Sequence, residues 1–286
     1  MSSAPLLDVK NLTVTFPTRT GTFEAVRGTS FTLGRERLGI VGESGSGKSM
    51  TGRAILRLIR PPGRVVADHI MLVGEDLLGK SERAMRRVRG ERISMVMQDP
   101  KFSLNPVMTV GDQIVEAYRL HGGSRSDARQ KAIAMLEAVS IRSPERVLRA
   151  YPHEVSGGMG QRIMIAMMLI PEPDILIADE PTSALDVSVQ AQVLSIMDRL
   201  VSERGMGLIF ISHDLNLVAS FCDRVLIMYA GRIVEALRAD RLHDASHPYT
   251  QGLIGSLPRL EAPAERLKVL ERDPAWHEAP SVEARA

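Results

Sequence analysis

The sequence predicts an α/β fold built on a mainly parallel sheet with helices on both faces. Three observations carry that expectation. From Gln161 onward, short apolar runs (Ile175–Ala178, Gly207–Ile211, Arg224–Met228) alternate with helical patterns, the rhythm of a doubly covered sheet. A glycine-rich segment follows the apolar run Leu38-Gly39-Ile40-Val41 and leads into a helical stretch. Between Asp99 and Val155 the pattern is almost wholly helical, so a helical insertion interrupts the strand rhythm.

Taken in order, residues 6–16 partly alternate apolar and polar side chains and are rich in Val and Thr, as in a half-buried strand. A turn near Thr20-Gly21-Thr22 leads to a second strand over about Ala25–Leu33. Met50–Ile59 reads as a helix that Pro61-Pro62-Gly63 stops. In Ala128–Val139, residues Ala132, Ile133, Leu136 and Val139 recur at helical spacing and form one apolar face. Helices are expected from Gln161 to about Leu169 and from Val187 to about Val201. Residues 261–286 hold three prolines and little apolar periodicity, so they are expected to form a weakly ordered extension beyond a domain of residues 1–260.

Composition excludes several classes of protein. The 286 residues correspond to roughly two average domains. With 36 basic against 34 acidic residues, the charge is too balanced to indicate a nucleic-acid protein. One cysteine, Cys222, excludes an internal disulfide or a four-cysteine metal site within one chain. No secretory signal is visible at the N-terminus. The longest apolar run, Ile163 to Ile170, is eight residues, well short of the roughly 18 that span a bilayer. The 15 methionines are read as core filling.

Two motifs carry chemistry. Gly42-Glu-Ser-Gly-Ser-Gly-Lys48-Ser49 fits G-x-x-x-x-G-K-[ST] between a predicted strand and a predicted helix. In that setting backbone N–H groups curl around phosphate oxygens, and the helix N-terminus adds its dipole. Lys48 would neutralise β- and γ-phosphate charge and the Ser49 hydroxyl would ligate Mg²⁺. A glycine-rich turn with an incidental lysine is the bland alternative, and the strand–loop–helix context disfavours it. The second motif is Ile175-Leu176-Ile177-Ala178-Asp179-Glu180, a buried-type strand ending in two carboxylates. Ligands collect at strand carboxyl ends in such sheets, so Asp179 would hold Mg²⁺ and Glu180 would orient or deprotonate an attacking water.

Between these motifs lies Val155-Ser156-Gly157-Gly158-Met159-Gly160-Gln161-Arg162. Here the chain resembles the ATP-binding subunit of an ABC transporter, over about residues 6–260. The remaining family motifs fall in order. Gln98 after Ile93–Met97 matches the Q-loop, Ser183-Ala184-Leu185-Asp186 the D-loop, and His213 the switch histidine. Alone, Gln98 would be an ordinary loop residue and His213 a cap or surface histidine; the ordered set reverses that reading. The resemblance implies a P-loop NTPase fold of the ABC type. Its RecA-like sheet would carry an N-terminal antiparallel β subdomain and a helical subdomain at about 99–160. It also implies catalytic roles for Glu180, His213 and Gln98, and Mg²⁺ contacts from Ser49, Gln98 and Asp179. ATP contacts are implied for Gly42, Ser44, Gly45, Gly47, Lys48, Ser49 and Met50, and for Ser156, Gly157, Gly158 and Asp186. Phe16 lies where the family places an aromatic on adenine, with Phe23 as a competitor.

Gln98-Asp-Pro-Lys-Phe-Ser-Leu-Asn-Pro, Tyr151-Pro-His-Glu and His247-Pro-Tyr-Thr-Gln-Gly-Leu resemble the dipeptide/oligopeptide importer branch, which includes nickel and opine systems. Members usually continue into a cysteine-containing stretch, and residues 261–286 contain no cysteine. Gly160 stands where this branch usually has arginine, and Val155 replaces leucine. The resemblance implies a second ATPase subunit, two transmembrane permease subunits and an extracytoplasmic solute-binding protein. The chain would sit peripherally on the cytoplasmic face of the inner membrane, and no nucleic acid is expected as partner. A soluble ABC ATPase acting on nucleic acid or ribosomes is the alternative, for which Arg83, Arg86, Arg87, Arg89 and Arg92 could be read as a phosphate-binding stripe. A solvated helix face is the plainer reading of those arginines. A non-catalytic partner in an asymmetric pair is a third reading, against which all the catalytic residues are present.

Overall fold

The structure is a computed structural model that describes residues 4–97, 103–183, 185–256, 273–277 and 280–284. The chain divides into two compact units, Met1–Lys80 with Ile209–Ala286, and Ser81–Leu208. The second unit is wider than the helical segment expected at 99–160, because it also holds two strands of its own.

In the first unit, β1 (Leu7–Thr18) and β2 (Gly21–Leu33) form a long antiparallel pair, with Leu7 opposite Leu33 and Thr18 opposite Gly21. Leu7 and Val9, then Leu12 and Val14, are buried at a spacing of two, and the alternation shifts once, where Asn11 takes a left-handed φ of 53° and the register slips. Next come β3 (Arg37–Val41), α1 (Lys48–Ile55), β4 (Arg64–Val66), β5 (His69–Leu72) and β6 (Glu75–Asp76), with β4 and β5 antiparallel to β1. Helix α1 ends well before the proline pair. Arg57 adopts a left-handed φ of 52°, and the Leu58 N–H bonds the Arg53 carbonyl at 2.8 Å. The Arg57 guanidinium holds this end by donating to the Leu77 and Lys80 carbonyls.

The second unit opens with α2 (Glu82–Glu91), whose Ser81 cap accepts from the Ala84 N–H, and β7 (Ile93–Val96). Among the described residues there follow α3 (Val110–Leu120), α4 (Ala128–Ala138), α5 (Pro144–Val147) and α6 (Gly157–Leu169). Strand β8 (Ile175–Asp179) runs parallel to β7, Ile93 opposite Ile175, and every residue of both strands is buried. Helix α7 (Val187–Arg204) closes the unit, ended by Gly205 in the left-handed region. Of the predicted stripe on α4, Ala132, Leu136 and Val139 are buried and Ile133 is half-buried. The arginines divide between paired and solvated positions. Arg89 pairs with Glu82 and Arg92 with Asp174, leaving Arg83, Arg86 and Arg87 exposed.

Strand β9 (Gly207–Ser212) carries the boundary between the units. The first unit then resumes with α8 (Leu215–Phe221), β10 (Arg224–Tyr229), β11 (Arg232–Arg238), α9 (Pro248–Gly255) and the two-residue β12 (Glu283–Ala284). Its second sheet runs β11-β10-β3-β9, with β10 parallel to β3 and β11 antiparallel to β10. The sequence reading did not resolve β11. Cys222 is buried and burial pushes its thiol pKa up. Met85, Met164, Met197 and Met228 are buried, in keeping with core filling.

Two pieces of the segment after residue 260 are described, and both are docked where the sequence suggests weak order. Ala284 is buried, β12 pairs parallel with β2, and the Arg224 guanidinium donates to the Ala284 carbonyl at 3.2 Å. Trp276 lies against Tyr229, Tyr249 and His247. Single side chains that find a tertiary niche leave no periodicity for a sequence to display. Among the described residues, no helix is long and apolar enough to cross a membrane.

Candidate functional site

In the first unit the glycine-rich segment hangs from the carboxyl end of β3, buried from Leu38 to Val41 and flanked by β10 and β9. A tight turn forms as the Ser46 N–H bonds the Glu43 carbonyl at 3.1 Å. Gly47 has a φ of 101°, and a Cβ there would lie 2.5 Å from the Ala25 carbonyl oxygen. Both facts demand glycine at the N-cap of α1. With no side chain at that cap, nothing from Gly47 covers the first helical turn, the arrangement suited to an anion. Lys48 is buried, and its ammonium donates to the carbonyls of Gly42 (2.7 Å) and Glu43 (2.9 Å) and approaches the Ser46 hydroxyl at 3.5 Å. The loop's own oxygens therefore hold the lysine inward. Ser44 and Gly45 are exposed at the tip, while Ser49 and Met50 are half-buried in the first turn of α1.

Two further residues singled out by sequence lie in this unit. Phe16, on β1 opposite Phe23, is half-buried with its ring edge against Gly63; Phe23 is more exposed, at 57%. His213 is exposed just after β9. Its neighbour Asp214 caps α8 by accepting from the Leu217 N–H, and the Asp214 N–H donates to the Ser212 hydroxyl.

The second unit holds the other motifs. Asp179, the last residue of β8, is buried. Glu180 follows in a left-handed conformation, φ 48°, which costs a non-glycine residue about 1 kcal/mol or more. A turn holds it there, the Glu180 carbonyl accepting from the Ser183 N–H and hydroxyl at 3.3 and 3.2 Å. Asp186 caps α7, accepting from the Val189 N–H at 3.0 Å and the Ser188 hydroxyl at 2.7 Å. Those bonds hold its carboxyl below the usual carboxylate range. Gln98 lies outside the described residues, as does Ala184 in the D-loop segment.

Ser156 is the N-cap of α6, its hydroxyl oxygen accepting from the Met159 N–H at 3.3 Å. The loop before it is fixed by Glu154, whose carboxylate accepts from the Tyr151 N–H at 2.7 Å. Gly157 is exposed, and Gly158 lies so close to α7 that a Cβ would meet Val189 at 2.6 Å. Sequence reasoning missed Val189 and Arg162. Val189 places Ser156–Gly158 against the first turn of the helix that Asp186 caps. Arg162 donates to the carbonyls of Gly158 (3.2 Å) and Ser140 (2.9 Å), tying α6 to the end of α4. Gly160 is buried and keeps the normal helical bond to Ser156 at 2.8 Å, so α6 runs through it unbroken. Ser156→Ala should lower the stability of this unit by about 1 kcal/mol in urea unfolding, and Ser156→Asn should recover most of it. Equal stability in the alanine variant would remove the capping role.

The ordered strands and loops match a known architecture. The sequence profile described as ABC transporter matches residues 26–183, more than half the chain. The oligopeptide transport ATP-binding protein OppD of Bacillus subtilis is 49% identical over 264 residues, covering 91% of this chain and 74% of that protein. The dipeptide transport ATP-binding protein DppD of the same organism is 48% identical over 273 residues, covering 94% and 82%. Among solved structures, the dimeric form of MJ0796, a bacterial ABC transporter cassette, superposes with a TM-score of 0.73 at 25% identity. That match covers 82% of this chain and 98% of the other. The chain therefore belongs to the ABC transporter family, as an ATP-binding, ATP-hydrolysing subunit with the P-loop NTPase fold.

Proposed function

We propose that this chain powers the import of peptides, working as one of two ATPase subunits beneath a pair of separate permease subunits. The observation that carries the reading is the buried Lys48 ammonium, held by loop carbonyls at the N-terminus of α1, a charge suited to β- and γ-phosphates. The peptide cargo is taken from the oligopeptide and dipeptide relatives, and the chain spans 74% and 82% of their lengths.

In this reading Gly42, Ser44, Gly45, Gly47, Lys48, Ser49 and Met50 surround the phosphates, and Phe16 stacks on adenine. The hydroxyl of Ser49, the Gln98 amide oxygen and the buried Asp179 carboxylate are hard oxygen donors, the chemistry that suits Mg²⁺. Held by those oxygens, Mg²⁺ would offset the negative charge of the phosphates. Among the described residues no group of three His, Cys, Asp or Glu could hold a metal. Glu180 takes a proton from the attacking water, and His213 and Gln98 hold the γ-phosphate and that water in line. Ser156, Gly157 and Gly158 reach the γ-phosphate of the facing subunit through N–H groups at the start of α6, with Asp186 beside them. ATP then joins two subunits, and its cleavage loosens them.

Such a chain acts at the cytoplasmic face of the inner membrane, and an extracytoplasmic binding protein supplies the cargo. Nothing observed favours action on nucleic acid, since Arg89 and Arg92 are engaged with Glu82 and Asp174. A strain lacking the chain should lose uptake of labelled di- to hexapeptides. A plasmid copy should restore it, while the Lys48→Ala copy should not. Unchanged peptide uptake with lost nickel or opine uptake would overturn the peptide assignment.

A further inference from the structure

Tyr249 lies 206 positions from the phosphate loop in sequence, yet its hydroxyl oxygen accepts a hydrogen bond from the Glu43 backbone N–H at 3.1 Å. The side chain is fully buried. Glu43 is also the residue whose carbonyl accepts from the Lys48 ammonium at 2.9 Å and from the Ser46 N–H at 3.1 Å. One peptide-bearing residue thus receives Tyr249 on its donor side and Lys48 on its acceptor side.

The phenol is itself held from several directions. The Tyr249 N–H donates to His247 Nδ1 at 3.1 Å at the start of α9. That helix start is anchored by Glu235 on β11, one carboxylate oxygen of which accepts from the Ser246 N–H, the Ser246 hydroxyl and the His247 N–H. The Tyr249 ring tilts against Tyr229 at a centroid distance of 4.6 Å. Tyr229 ends β10, and two residues later the Gly231 N–H bonds the Ser46 carbonyl at 3.0 Å, a second tie to the same loop. Trp276 completes the cluster edge-on, 5.9 Å from Tyr229, 6.2 Å from Tyr249 and 5.8 Å from His247. It is the only tryptophan in the chain.

We infer that Tyr249 is a positioning residue for the nucleotide site, and that the Tyr229–Tyr249–Trp276 cluster links the C-terminal extension to the occupancy of the phosphate loop. The inference rests on the reading that Gly42–Ser49 binds ATP. The physical logic is direct. A phosphate-binding loop selects its ligand by the directions of its N–H groups, and Tyr249, by accepting from the Glu43 N–H, fixes the peptide at the loop's entry from which the later N–H groups are directed. The Gly42 carbonyl, which shares a peptide plane with the Glu43 N–H, also accepts from the Lys48 ammonium, at 2.7 Å. When phosphates draw Lys48 toward themselves, that carbonyl loses a partner, and the plane is free to tilt. That tilt reaches the Tyr249 hydroxyl and the rings stacked around it.

Trp276 makes the test possible without a label. Titration of the full chain with Mg–ADP should change the emission of Trp276 in step with binding measured by calorimetry. In Tyr249→Phe, which keeps the ring and removes only the hydroxyl, the dissociation constant should rise about five- to tenfold, the size of one lost hydrogen bond. The emission change should then be largely lost at saturating nucleotide, with the melting temperature nearly unchanged. Trp276→Phe should bind nucleotide normally and abolish the signal, which assigns it. Should calorimetry detect no nucleotide binding in the unaltered chain, the ATP reading of the loop fails. Normal binding with flat Trp276 emission in the unaltered chain overturns the link to the extension, whether or not any variant folds. An unaltered affinity in a folded Tyr249→Phe protein overturns the positioning role.

Discussion

Replacing Glu180 with glutamine should cut ATP turnover by about a hundredfold or more, the usual weight of a lost general base, while nucleotide binding persists. The substitution is nearly isosteric, and the Glu180 carbonyl's bonds from the Ser183 N–H and hydroxyl hold the left-handed backbone at φ 48°. The fold around it should therefore survive. Position separates the two acids. Asp179 ends β8 and is buried, whereas Glu180 is the first residue off the strand and half-buried, where a water can reach it. With hydrolysis blocked and ATP still bound, pairs of subunits should persist. Size-exclusion chromatography in ATP should show a dimer that the unaltered chain forms only briefly. A rate within a factor of about three of the unaltered chain would move the base elsewhere.

Lys48→Ala should abolish measurable nucleotide binding, weakening it by about a hundredfold or more. The ammonium is buried among the oxygens of Gly42, Glu43 and Ser46, so it is largely stripped of water before a phosphate arrives. A desolvated, pre-aimed charge gives a stronger bond to phosphate than an exposed one. In thermal melts, ATP at a hundred times its dissociation constant should stabilise the unaltered chain by about 2.7 kcal/mol. The alanine variant should show no ligand-dependent shift at the same concentration. A retained shift would show that the loop binds phosphate through backbone N–H groups alone.

Much of the site is legible in the sequence because its parts are local. Gly42 to Ser49 is one unbroken segment whose strand and helix flank it directly, so spacing alone displays the cradle. The acids at the end of β8, the Ser156 cap of α6 and the Asp186 cap of α7 are likewise set by neighbours within three residues. Helix ends were less legible. Helix α1 stops at Ile55 because Arg57 turns left-handed and its guanidinium finds the Leu77 and Lys80 carbonyls, partners more than twenty positions away in the second case. The expectation of weak order after residue 260 rested on absent periodicity. Ala284 and Trp276 are docked singly, one by strand pairing and one by aromatic edges, and neither device needs a period.

The sequence by itself determined the family, the order of the motifs and the chemistry each residue type can perform, because those depend on covalent neighbours. Tertiary structure decided what holds the chemistry in place. Gly47 is required by a carbonyl of Ala25, Gly158 by the side chain of Val189, and the Glu43 N–H is directed by Tyr249. Each of these contacts joins residues far apart in the chain. Close packing sets such distances to tenths of an ångström, a precision that no pattern of residue types along a line can carry.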